Sequence, residues 1–180
     1  MIVVTGGAGF IGSNLISALN AAGENQIILV DDLSDTGKIQ NINDLSISDY
    51  QDKNDFRDAL CKSGLPAGVK AVFHQGACSD TMVSDGQYVM DVNYAYSKIV
   101  LHACSESGTP LIYASSASVY GRDGPFVESV ENEYPLNAYA FSKTLFDRYA
   151  FEEGRRPTTQ LVGLRYFNVY GPKALGTSPY

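Results

Sequence analysis

Tyr139 and Lys143 are the pair in this sequence best suited to moving a proton. Four residues apart on a predicted helix, they share a face. A phenol of ordinary pKa near 10 is a weak base at neutral pH, and a neighbouring ammonium favours its phenolate. The same lysine can hold a cofactor ribose. Ser116, delivered by the end of a predicted strand, can hydrogen-bond the substrate oxygen that Tyr139 deprotonates. Such a trio suits oxidation of an alcohol, the hydride leaving to a nicotinamide laid across a sheet. By itself Y-x-x-x-K is a common helical spacing, and it reads equally well as a surface pair.

The element that must hold the nicotinamide stands at the other end of the chain. Met1 to Thr5 read as an apolar strand, and Gly6, Gly9 and Gly12 follow with G-x-x-G-x-x-G spacing. Each glycine removes a Cβ where backbone must approach a tight turn, a pyrophosphate or a packed strand. Asn14 to Ala22 continue as a helix, whose free N–H groups and dipole would face the phosphates. Gln26 to Val30 form a second strand ending in Asp31, nineteen residues after Gly12, near the usual place for a ribose-binding carboxylate. A glycine-rich turn that binds nothing is the plainer alternative.

Strands and helices then alternate, the signature of an α/β fold with a doubly wound parallel sheet, Rossmann-like. The polar stretch Ser34 to Asn43 reads as a loop rimming the adenosine site, with Lys38 in it. Asp44 to Ile47 is expected to be the third strand, followed by a helix over Asp52 to Lys62 that carries Lys53. Val69 to His74 is a fourth strand, delivering Gln75-Gly76-Ala77-Cys78-Ser79 to the carboxyl edge, where ligands of such sheets bind. Gln87 to Ser105 is a helix with an apolar stripe at Val89, Met90, Val92, Val100 and Leu101. Leu111 to Ala114 is the fifth strand, Tyr120 to Pro135 a surface excursion, Asn137 to Glu152 a helix, and Leu161 to Arg165 the sixth strand. Residues 1–170 therefore read as an NAD(P)-binding domain, and 171–180 as the truncated start of a substrate-binding part.

The 180 residues suffice for one domain with a sizeable core. A hydrophobic fraction of 44% and a charged fraction of 18% are those of a globular protein, and no apolar run nears the ~20 residues of a membrane helix. No secretory signal is visible, so a cytoplasmic address and no membrane partner are expected. A net charge of −7 argues against nucleic acid, whose phosphates demand basic patches. Cys61, Cys78 and Cys104 have neither disulfide nor zinc-site spacing, and His74 and His102 read as structural, so no metal is expected.

Gly6, Gly9 and Gly12, Ser116, and Tyr139-Ala140-Phe141-Ser142-Lys143 together resemble the extended short-chain dehydrogenase/reductase family. Within it, Ile2 to Asn14, Asp44 to Lys53, Phe73 to Ser79, Tyr113 to Ala117, Pro135 to Asn137 and Arg165 to Pro172 are similar to the ADP-L-glycero-D-manno-heptose 6-epimerases. That resemblance implies an isomerase with a tightly held NADP that oxidises carbon 6 of the heptose and returns the hydride to the opposite face. It also implies a homo-oligomer, and a role in making the heptose of bacterial lipopolysaccharide. By the same resemblance Phe10, Ile11, Asp31, Asp32, Lys38, Lys53, Gln75, Gly76, Ala77, Cys78, Ser79, Lys143 and Val169 would contact cofactor, while Ser116 and Asn168 would contact substrate. Asp31 alone favours NAD, since a carboxylate repels a 2′-phosphate; Lys38 and Lys53 could neutralise that phosphate, so NADP is the expectation and NAD the alternative.

Three departures from the family pattern stand out. Gln75 replaces a usual Glu, Val92 a usual Asn, and Thr177 falls where the family has the lysine that works opposite Tyr139. Thr cannot serve as an ammonium acid. An incomplete form lacking the C-terminal substrate domain is therefore expected, with an exposed sheet edge. Two other readings stay open: another sugar-nucleotide epimerase, or a non-catalytic dinucleotide-binding fragment. A dehydratase is less suited, since Ala117 and Ser118 supply no acid beside Ser116.

Overall fold

A computed structural model describes residues 1–80, 82–154 and 159–173. Its centre is a six-stranded parallel sheet: β1 (Ile2–Thr5), β2 (Ile27–Asp31), β3 (Asp49–Asp52), β4 (Ala71–His74), β5 (Leu111–Ser116) and β6 (Leu161–Tyr166), in the order β3-β2-β1-β4-β5-β6. β1 and β2 are buried along their whole length. Apolar residues on both faces of a strand demand helices above and below, as a parallel sheet provides.

One face is covered by α1 (Phe10–Ala21), whose Ile16 packs with Ile2, Val4, Ile27 and Leu29. The other is covered by α2 (Lys53–Ser63), α4 (Tyr96–Ser107) and α5 (Ala138–Gly154); Phe56, Leu60, Val100, Leu101, Cys104 and Phe146 fill that layer against Val3, Val30 and Val72. The doubly wound architecture expected from the alternating pattern is the one found. Among the described residues no helix is long and apolar enough to cross a membrane.

Several elements differ from expectation. The third strand is Asp49–Asp52, not Asp44 to Ile47; it pairs with β2 from Ile28↔Asp49 to Asp31↔Asp52. An edge strand need not be apolar, and Leu45 and Ile47 instead pack from a loop against the α1-side core. α1 starts at Phe10, directly on the last turn of glycines, rather than at Asn14. Within Ser34 to Asn43 a 3-10 turn, Thr36–Asn41, is capped by the Asp35 side chain.

The helix expected over Gln87 to Ser105 is α3 (Gly86–Met90) and α4 joined by a π turn, Asp91–Ala95. One π turn adds a residue and rotates the rest of the helix about its axis. Asn93 is thereby buried at 1% exposure, while Val92 of the predicted stripe is only half-buried.

The start of α5 has a local cause, since the Asn137 side chain accepts from the Ala140 N–H at 2.8 Å. The excursion before it is pinned at two places. Glu133 is bound by Arg165 and by Arg148, and Phe126 sets its ring edge-on to both Tyr120 and Phe167. Its remaining apolar groups, Val127, Val130 and Tyr134, are exposed.

Candidate active site

The sheet reverses its winding between β1 and β4, so the loops after these strands diverge and leave a crevice at their carboxyl ends. Gly6 and Gly76 meet across it. Gly6 has φ +67, and a Cβ there would lie 2.6 Å from the Gly76 nitrogen; a Cβ at Gly12 would run into the Gly6 carbonyl. These two glycines are required by the turn itself. Gly9 is different: its φ is −76 and a Cβ would meet only the Gly6 carbonyl oxygen, at 3.3 Å. Bare backbone at Gly9 makes room for a ligand rather than for the protein. No side chain caps α1, so the N–H groups of its first turn, Phe10 and Ile11 among them, are left for an anion. The buried Gln75 Oε1, an acceptor, also lacks a protein partner, which leaves it for a donor group rather than for the phosphates. The cradle thus fits a dinucleotide pyrophosphate.

At the end of β2, Asp31 is buried; its carboxylate accepts from the Ala8 N–H at 2.8 Å and from Lys38 Nζ at 2.8 Å. Beside it Lys53 bridges to Asp32 at 2.7 Å. The Lys53 hydrogen bond, with help from Ser34, holds the Asp32 carboxyl well below the usual carboxylate range. Burial is the largest single influence on Lys53 and opposes its charge, but the Asp32 hydrogen bond together with the charges of Asp32, Asp52 and Tyr88 outweighs it and raises that ammonium. Two carboxylates and two ammoniums therefore share the rim where an adenosine ribose would lie.

Ser116 closes β5, with Tyr166 of β6 as its register partner; its hydroxyl accepts from the Ser118 N–H at 3.2 Å and from the Ser118 hydroxyl at 2.9 Å, and it favours the anion of Tyr139 in the first turn of α5. Lys143, one turn on, is buried and donates to the Ala114 carbonyl at 2.8 Å. Burial lowers its pKa to about 8, with Asp147 partly opposing. Sequence reasoning expected Lys143 to lower the Tyr139 pKa. Here burial pushes the Tyr139 phenol up, offset in part by the Ser116 hydrogen bond, because the ammonium is turned toward the β5 backbone. Tyr166 is likewise raised by burial, tempered by a hydrogen bond with Gln75.

A buried polar chain ties these pieces together. Gly76 N–H donates to the Thr5 hydroxyl, which lies 2.6 Å from His74 Nδ1; His74 Nε2 lies 2.8 Å from the Ser97 hydroxyl, and that hydroxyl donates to the Asn93 carbonyl at 2.6 Å. The order of donors makes His74 neutral with its proton on Nε2. Burial, then the nearby Lys143, lower its pKa to about 3.

The Asn93 side chain grips the Cys78 backbone at both its N–H (2.7 Å) and carbonyl (3.1 Å), and reaches the Ser142 hydroxyl at 3.1 Å. It couples the loop after β4 to the helix of Tyr139 and Lys143. Sequence reasoning missed Asn93, although a lone amide inside an apolar helical run was the available signal. His74, read from sequence as structural, is a link in the buried chain.

Gly76, Ala77 and Cys78 are half-buried along the crevice and Ser79 is exposed at its mouth. Asn168 and Val169 are exposed on the segment leaving β6, on the same carboxyl edge. Thr177 lies outside the described residues.

The sequence pattern of the NAD dependent epimerase/dehydratase family matches residues 2–179. Among solved structures, ADP-L-glycero-D-manno-heptose-6-epimerase from Helicobacter pylori is 34% identical with a TM-score of 0.81, the alignment covering 95% of this chain and 56% of that one. UDP-N-acetylglucosamine 4-epimerase from Methanobrevibacter ruminantium, in complex with UDP-N-acetylmuramic acid, is 32% identical with a TM-score of 0.82 over 99% of this chain and 58% of that one. UDP-glucose 4-epimerase from Thermus thermophilus, in complex with NAD, is 32% identical with a TM-score of 0.77 over 96% and 56%. The chain spans little more than half the length of each.

Proposed function

The chain belongs to the NAD dependent epimerase/dehydratase family, and from that premise we propose that it is the dinucleotide-binding and catalytic half of a sugar-nucleotide epimerase. Its substrate would be ADP-D-glycero-D-manno-heptose, inverted at carbon 6 to the L-glycero form, as lipopolysaccharide heptose synthesis requires. The observation that carries the catalytic part is the convergence of three residues at the carboxyl edge: Ser116 at the end of β5, Tyr139 in the first turn of α5, whose anion Ser116 stabilises, and Lys143 buried one turn below. The substrate rests on the stretch Gly76-Ala77-Cys78-Ser79 and on the 34% identity to the H. pylori heptose epimerase.

In this reading Ser116 hydrogen-bonds the oxygen on carbon 6 and Tyr139 takes its proton, leaving a ketone when the C–H bond breaks. A bound dinucleotide would supply the hydride acceptor and, on return to the opposite face, the donor, so it would be needed but not consumed. Gly9 and the start of α1 would hold its pyrophosphate, and Lys38 and Lys53 a 2′-phosphate. Asp31 is already engaged by Ala8 and Lys38, which favours NADP over NAD.

The test loads the chain with NADP and adds ADP-D-glycero-D-manno-heptose or UDP-glucose in separate arms, reading reduced nicotinamide by fluorescence and sugar configuration by NMR. Reduction with ADP-heptose and not with UDP-glucose is expected, with little or no epimer formed, since Thr177 stands where the second acid/base would be. A response to UDP-glucose instead would make it a hexose 4-epimerase. No response in either arm, with NADP bound, would leave a module that holds dinucleotide without turning over sugar.

A further inference from the structure

The chain leaves β6 at one edge of the sheet and comes back across its carboxyl end. β6 and β2 are four strand spacings apart, about 19 Å at roughly 4.8 Å each. The seven residue steps from Tyr166 to Lys173 reach about 23 Å when extended. The segment is therefore long enough to cross the crevice, and the Lys173 side chain completes the reach to the loop after β2. Lys173 Nζ donates to the Asn41 carbonyl at 2.8 Å and to Asp44 Oδ1 at 2.9 Å. Asn41 in turn donates to the Ala8 carbonyl in the glycine turn at 3.0 Å.

Midway, Gly171 lies over the Phe10 ring, where an added Cβ would stand 3.9 Å from Cε2 and Cζ. The Pro172 carbonyl accepts from Asn14 Nδ2 at 2.8 Å, and the same amide donates to the Phe10 carbonyl at 2.9 Å. Lys173 is the one non-glycine residue with positive φ among those described, +68. That conformation is unfavourable for a lysine, and its two bonds hold it there.

We propose that residues 168–173 are a strap latched over the pyrophosphate and adenosine end of the dinucleotide cleft, and that this latch sets how slowly the dinucleotide leaves. The proposal rests on the dinucleotide-binding reading above. Both anchor points lie on elements of that cleft: Asn14 sits one turn into α1, whose start faces the phosphates, and Asn41 and Asp44 belong to the loop after β2. An enzyme that regenerates its cofactor at every turnover gains from slow release, since an empty site is idle.

The experiment follows NADPH dissociation from the 180-residue chain by stopped-flow fluorescence, with excess NADP as competitor, in Asp44→Asn, Lys173→Met, the double variant, and Lys70→Met as a control at the distant Glu24 pair. Asp44 is exposed, so its replacement spares the fold. Asp44→Asn and Lys173→Met should each speed dissociation about three- to tenfold. The double variant should be no faster than the quicker single one, because both break the same latch. Lys70→Met should change nothing. The two substitutions alter net charge in opposite senses, so acceleration in both reads the latch rather than the charge. NADPH binding with unchanged dissociation in both overturns the strap alone. Failure of the unsubstituted chain to bind NADPH overturns the dinucleotide reading, and the strap with it.

Discussion

Tyr139 must give up a proton to act as a base, and its surroundings pull both ways: burial raises the phenol while Ser116 stabilises its anion. Replacing it by Phe should lower the rate of nicotinamide reduction by about 10²- to 10⁴-fold, the usual worth of a positioned base, with NADP affinity unchanged by calorimetry. A loss of NADP binding would instead make the tyrosine structural. Lys143 offers a second test. Its pKa falls from 10.5 to about 8 on folding, so between these values the unfolded chain holds a proton that the folded chain lacks, and stability rises with pH. Below about 8 both states are protonated, and the cost of the buried charge is constant. Urea denaturation at pH 8 to 10 should therefore show a rise that is flattened in Lys143→Met. The spacing of Tyr139 and Lys143 was legible from sequence because helical periodicity is local. The direction of the ammonium was not, since it is set by the Ala114 carbonyl, 29 positions away.

At the scale of elements, the glycine turn separates what architecture requires from what a ligand requires. Gly6→Ala places a Cβ on the Gly76 backbone at positive φ, and should cost more than about 2 kcal/mol of unfolding free energy. Gly9→Ala meets no such obstacle and should cost less than about 1 kcal/mol. Yet it should weaken NADP binding at least tenfold by calorimetry, since the added methyl group enters the cradle. Equal stability losses in the two variants would refute this division of labour. The glycine spacing announces the turn, because strand, turn and helix are contiguous. β3 was misplaced by a few residues because a polar edge strand carries no apolar signal, and Leu45 and Ile47, which do, are core residues on a loop. The π turn was invisible to any pattern of fixed period, and it is what delivers Asn93 to the site.

Over the whole molecule, Leu164, Phe126, Phe167 and Tyr170 are exposed beside β6, whose outer side pairs with no strand among the described residues. Such an edge with apolar neighbours invites pairing between copies. Sedimentation should show association that grows with concentration, and Leu164→Lys should reduce it; unchanged association would place the contact elsewhere. The sequence by itself determined the family, the alternation of strands and helices, the glycine turn and the Ser116, Tyr139 and Lys143 positions, because each is a short-range pattern of side-chain size and spacing. Tertiary structure alone decided that Asn93 grips Cys78, that Asp31 is shared by Ala8 and Lys38, and that Lys173 reaches Asp44 across 129 positions. Those contacts depend on how far the sheet carries the chain sideways and on a single inserted helical residue, and neither leaves a periodic trace in the order of amino acids.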